Sequence, residues 1–109
     1  MPRKAVILDS AKAEFRDIQQ FVRQEFGAPV WNTVNAEYKK ALQTIQQHPE
    51  MGHGIAELQE LGITHIRYAL VRQTRMVYEF DDRLVIIHMF ISTRRDFRRH
   101  LFARLLHSR

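Results

Sequence analysis

The apolar residues of this chain keep two different periods, and the switch between them limits the folds open to it. From Ala11 to Phe26 they recur at three- and four-residue steps (Ala11, Phe15, Ile18, Val22, Phe26), and again at Trp31, Val34, Tyr38, Ala41, Leu42 and Ile45. That spacing draws a stripe along one face of each of two helices. Gly27 supplies a stop between them, and Pro29 suits the first turn of the second. Helices joined by so short a turn must lie antiparallel, as a hairpin. From residue 66 the period falls to two: Ile66, Tyr68 and Leu70, then Met76, Tyr78 and Phe80. Leu84 to Ser92 is apolar on both faces, the mark of a central strand, and Asp81-Asp82 before it signals a turn. These segments predict three strands in an antiparallel meander.

The remaining elements follow from local signals. Ala5 to Leu8 is a short apolar run of the strand type, followed by Asp9 and Ser10 as N-cap candidates. Pro49, Gly52 and Gly54 end the second helix, and residues 49–62 are expected to be a loop. Thr93-Arg94-Arg95-Asp96 reads as a capping box for a last helix running to about Leu106. The order β, α, α, β, β, β, α describes an α+β domain whose helical hairpin covers one sheet face. With no internal repeat or linker, residues 1–109 are expected to form a single domain. The last helix has a less regular pattern. Phe97, Leu101 and Leu105 share a stripe, whereas Phe102 and Leu106 point away from it. A frayed terminal helix and a second apolar surface for a partner both account for that.

Charge is distributed unevenly. The net charge is +5. Residues 1–60 carry seven basic and eight acidic side chains, and residues 61–93 four and three. The last sixteen residues hold six arginines (Arg94, Arg95, Arg98, Arg99, Arg104, Arg109) against Asp96 alone. Arginine forks where a strand meets a helix N-terminus suit phosphates or the carboxylates of a protein partner. A solvated basic face that aids solubility is the simpler explanation. Arg67, Arg72, Arg75 and Arg83 fall in or between the meander strands.

Several function classes drop out. The chain has no cysteine, hence neither a disulfide framework nor a thiol nucleophile, and it suits a reducing cytoplasm. Its apolar runs are too short to cross a bilayer, and Met1 to Leu8 is too short for a signal peptide, so no membrane association is expected. There is no glycine-rich phosphate loop, no GxSxG elbow and no calcium loop, so no cofactor is expected. The six histidines include no HxH or HxxxH pair, and no metal site is expected. His88, inside the most apolar strand, reads either as an acid–base group near neutrality or as a half-buried histidine bonded to a neighbour. Tyr68 and Tyr78 read as core-flanking aromatics with exposed hydroxyls.

The segments "AKAEFRDIQQFVRQEFG" and "IRYALVRQTRMVYEFDDRLVIIHMFISTRRDFRRHLFARLL", with the order of elements, resemble the RelE/ParE superfamily of toxins from type II toxin–antitoxin systems. Arg75-Met76-Val77-Tyr78 is similar to the family's central meander. Arg95-Asp96 entering a terminal helix with "RLL" near its end is similar to the ParE branch. The resemblance implies different activities for the two branches. RelE-like members are ribosome-dependent mRNA endoribonucleases that use lysines ahead of the meander, arginines on the sheet and a tyrosine in the terminal helix. Here residues 51–66 contain no lysine or arginine and include Glu57 and Glu60, and the terminal helix has no tyrosine. Arg95 fits one phosphate-binding position, but arginine does not deprotonate and makes a poor acid–base partner. On the nuclease alternative the candidates are Arg95, Arg75 and His88, with His100 a second histidine that keeps this alternative open, and the partners are ribosome and mRNA.

The incomplete nuclease set favours the ParE branch, whose members inhibit DNA gyrase and are neutralised by ParD-type antitoxins in a toxin–antitoxin hetero-oligomer. Such toxins cause growth arrest and serve plasmid stabilisation. The resemblance then implies binding rather than catalysis. Arg94, Arg95, Arg98 and Arg99 would engage gyrase or its DNA, and Phe21, Phe102 and Leu106 would take the antitoxin. A small nucleic-acid-binding regulator is a further alternative.

Overall fold

The computed structural model describes residues 2–107, the side chains of Phe97, Arg98, Leu105 and His107 excepted. The chain runs β1 (Lys4–Ile7), α1 (Asp9–Phe26), α2 (Ala28–Gln47), a 3-10 turn (Pro49–Met51), β2 (His53–Gly54), α3 (Ala56–Gln59), β3 (Ile66–Val71), β4 (Thr74–Phe80), β5 (Leu84–Ser92) and α4 (Phe97–His107). This is the expected α+β order with two additions. The expected loop at 49–62 holds β2 and α3, each too short to leave a periodic signature. The five strands form one sheet in the order β1-β5-β4-β3-β2. β1 pairs parallel to β5, and the other pairs are antiparallel. β5 therefore has a strand on either side, which explains an apolar run that does not alternate.

Each sheet face has its own core. Between the hairpin and the sheet lie Trp31, Val34 and Tyr38 of α2 and Met76, Tyr78, Val85, Ile87 and Phe90 of the strands, with Phe15 wedged among Trp31, Tyr38 and Phe90 at ring separations of 5.4, 5.2 and 5.2 Å. On the opposite face Ile55 and Leu58 from the α3 segment and Leu101 from α4 pack on Ile66, Val77, Met89 and Ile91. The pattern had indicated only the first of these layers.

The helix ends differ in part from expectation. Gly27, at φ +90°, ends α1 and begins α2 at once, a conformation that glycine adopts without penalty. The N-cap of α1 is Leu8, with no side-chain cap; Asp9 and Ser10 are already helical, and Asp9 complements the dipole instead. At α4 the cap is Asp96, whose carboxylate accepts the Arg99 N–H at 3.2 Å. Thr93 is no cap, because α4 begins only at Phe97; its N–H instead closes onto the Gln73 carbonyl at 2.8 Å. Asp81 does make the β4–β5 turn. Its carboxylate accepts the N–H groups of Arg83 and Leu84 (2.7 and 2.8 Å), which hold its pKa below the usual carboxylate range.

Tyr78 departs furthest from its expected exposed hydroxyl. It is wholly buried, and its hydroxyl donates to the Pro49 carbonyl at 2.5 Å. Burial pushes the phenol up to about 12, against the opposing pull of the Gly52 N–H and Arg67. A Cβ on Gly52 would stand 2.0 Å from that hydroxyl, so the segment can cross Tyr78 only as glycine.

Candidate functional site: the arginine end of the sheet

β5 carries one extra residue. Val77 pairs with Met89 and Tyr78 with Ile87, so His88 has no partner across the ladder. The bulge explains why Ile87 and Phe90, three apart, both face the hairpin, while Met89 and Ile91 face the other core. β1 pairs only with Leu84 to Ile87, so the outer edge of β5 beyond the bulge has no strand beside it. Side chains satisfy that edge. The Phe90 N–H donates to Glu14 at 3.1 Å, and Arg104 donates to the His88 carbonyl at 2.9 Å. Glu14 and Arg104 meet each other at 2.5 Å, and Arg104 also reaches the Ser10 hydroxyl at 3.2 Å. One ion pair thus ties α1, the bulge and α4 together.

His88 is only 7% exposed, and its Nε2 lies 2.7 Å from Glu79. The other Glu79 oxygen is 3.8 Å from His65. Nδ1 of His88 is buried without a hydrogen-bond partner. This is the hydrogen-bonded histidine of the simpler sequence reading, although more deeply buried than half. Arg75 places its guanidinium 5.3 Å from the centre of the Tyr68 ring, and His53 stacks on that ring from β2 at 5.0 Å. Arg75 and His88 thus both lie on β4 or β5 within packed surroundings.

The arginines named from the sequence divide. Arg94 and Arg95 are exposed in the turn between β5 and α4, with their backbone N–H groups tied to Ser92 (3.2 and 3.1 Å). Arg99 is exposed in the first turn of α4, beside the shallow depression formed by Glu57, Asp96 and Phe102. The Arg98 side chain and Arg109 lie outside the described residues. Arg104, counted with the cluster, is part of the framework through Glu14.

The apolar candidates also divide. Phe21 is 59% exposed and lies edge-on to the exposed Phe26, ring centres 6.4 Å apart. Both line an open groove of about 570 Å³ with Ile18, Val22, Val30 and Val71. Leu106 is 78% exposed. Phe102, expected to stray from the core, is half-buried against it instead, beside the fully buried Leu101.

Glu14, His53, His65 and Glu79 were not singled out from the sequence. Glu14 meets Arg104 across 90 residues, a contact with no local signature. The groups that position α4 therefore become visible only in the folded chain. Among the described residues, no group of three or more His, Asp or Glu could hold a metal ion, and no helix is long and apolar enough to cross a membrane.

The family model for the ParE toxin of type II toxin–antitoxin systems, parDE, matches residues 6–97. Among solved structures, a chain from the chromosomal ParDE TA system of P. aeruginosa is similar, with a TM-score of 0.64. The similarity covers 83% of this chain and 95% of that one at 11% identity, which speaks for the fold. No curated protein matches at the level of sequence.

Proposed function

The chain belongs to the ParE toxin family of type II toxin–antitoxin systems, and from that premise we propose that it inhibits DNA gyrase by binding, under the control of a ParD-type antitoxin. One observation carries the choice of binding over catalysis: His88 and Arg75, the nuclease candidates on the sheet, are packed, whereas Arg94, Arg95 and Arg99 are exposed. Metal-free RNA cleavage needs a base and an acid within reach of the 2′-hydroxyl and the leaving oxygen. His88 is enclosed and bonded to Glu79, and Arg75 lies against Tyr68. Arg94, Arg95 and Arg99 stand free of such packing at a strand-to-helix junction, where guanidinium forks suit DNA phosphates or acidic side chains of gyrase.

The antitoxin reading draws support from the groove at Phe21 and Phe26, an exposed apolar surface of the kind that a folding tail covers. Leu106 and Phe102 on α4 would take a second, separate part of the antitoxin. The resulting hetero-oligomer would act in the cytoplasm, and growth arrest would follow release of the toxin.

Gyrase supercoiling with purified protein tests the proposal. The wild-type chain should inhibit it, and Arg94→Ala/Arg95→Ala/Arg99→Ala should lose inhibition while keeping the fluorescence of buried Trp31. Unaffected supercoiling together with mRNA cleavage on translating ribosomes would overturn the proposal in favour of the RelE-like reading. In cells, filamentation with a DNA-damage response is expected, and Arg95→Ala should relieve both.

A further inference from the structure

We infer that the cleft between α1 and α2 binds a small amphiphilic carboxylate. The cleft has a volume of about 400 Å³ and opens between the two helices above the sheet, within the size range of small-molecule sites. Its apolar lining includes Ile7, Phe15, Leu42, Met76, Ile87 and Phe90. Lys12, Arg16 and Lys39 also line it, together with Asn35 and Tyr38, and no carboxylate does.

The charge pattern comes from helix geometry. Lys12 and Arg16 stand one turn apart on α1, and Asn35, Lys39 and Leu42 share one stripe of α2. Two acidic side chains of the hairpin hold other arginines, and a third lines a different groove. Glu14 holds Arg104, Glu37 holds Arg72 through two bonds of 2.8 and 2.9 Å, and Asp17 lines the groove of Phe21. Among the described residues, none of the three cations makes an ion pair. An apolar interior bordered by uncompensated cations matches a ligand with a hydrocarbon body and one anionic end. The antitoxin groove described above is lined by other residues, Tyr38 excepted.

Calorimetric titration with hexanoate, octanoate and decanoate, all below their micellar concentrations, tests the site without reference to gyrase. Affinity should rise about fourfold per added methylene that enters the cleft. Decanol should bind about tenfold more weakly than decanoate, because it lacks the charge. Lys12→Gln/Arg16→Gln/Lys39→Gln should weaken decanoate by a similar factor and leave decanol unchanged. Leu42→Trp should fill the cleft and abolish both, with circular dichroism verifying that each variant is folded. The inference is overturned by absent decanoate binding, by equal binding of decanol, by no dependence on chain length, or by binding that survives Leu42→Trp.

Discussion

Replacing Tyr78 with phenylalanine separates two effects of one buried oxygen. At pH 8 the variant loses the bond to the Pro49 carbonyl and leaves that buried acceptor unsatisfied, which costs about 1–3 kcal/mol. The second effect depends on pH. The folded-state pKa of about 12 lies above the ordinary phenol value of 10.0, because burial opposes the phenolate. A group whose pKa is raised by folding contributes its full stability below the unfolded pKa and loses it as pH rises toward the folded one. The advantage of the wild type over Tyr78→Phe should therefore hold steady to about pH 9 and shrink by about 1.4 kcal/mol at pH 11. Near pH 12 the reduction reaches about 2.3 kcal/mol, enough to erase or reverse an advantage of about 2 kcal/mol. Guanidinium unfolding of both proteins at pH 8, 10 and 11, followed by the fluorescence of Trp31, measures the difference directly. Comparison with the variant removes the titration of lysines and of Tyr38, whose pKa burial also raises. An advantage that stays constant from pH 8 to pH 11 would refute the assignment of the raised pKa to buried Tyr78.

Gly52→Ala should destabilise the fold by about 1–3 kcal/mol, because its Cβ meets the Tyr78 hydroxyl at 2.0 Å. The penalty should fall by roughly 1 kcal/mol in the Tyr78→Phe background, and strict additivity in that double-mutant cycle would show that the clash lies elsewhere. Leu101→Ala should cost about 2–5 kcal/mol, since Leu101 is wholly buried in the second core. Leu106→Ala, at an exposed position of the same helix, should change thermal stability by less than about 0.5 kcal/mol. Equal effects from the two would contradict the described seating of α4.

Much of this molecule is legible from short-range pattern alone. The stripes of α1 and α2, the glycine between them, the alternation in β3 and β4 and the Asp81 turn each depend on residues a few positions apart. Helix and strand geometry impose their periods locally, so the order of elements and the α+β class follow from residues close together in the chain. The resemblance to the RelE/ParE toxins rested on those same segments, and the ParE family match confirms that branch.

What the tertiary structure alone decided involves residues far apart in the chain. Nothing near Tyr78 in sequence shows that its hydroxyl is closed off by Pro49 and Gly52. Nothing near His88 marks the bulge, which exists only as a mismatch of register with β4. The six terminal arginines are chemically identical in the sequence, and charge counting treats them alike. Folding assigns Arg104 to the unpaired edge of β5 through Glu14, and leaves Arg94, Arg95 and Arg99 facing outward. Local geometry sets the period of each element. The partner of a long, flexible side chain is set by which distant backbone groups the finished sheet leaves unsatisfied.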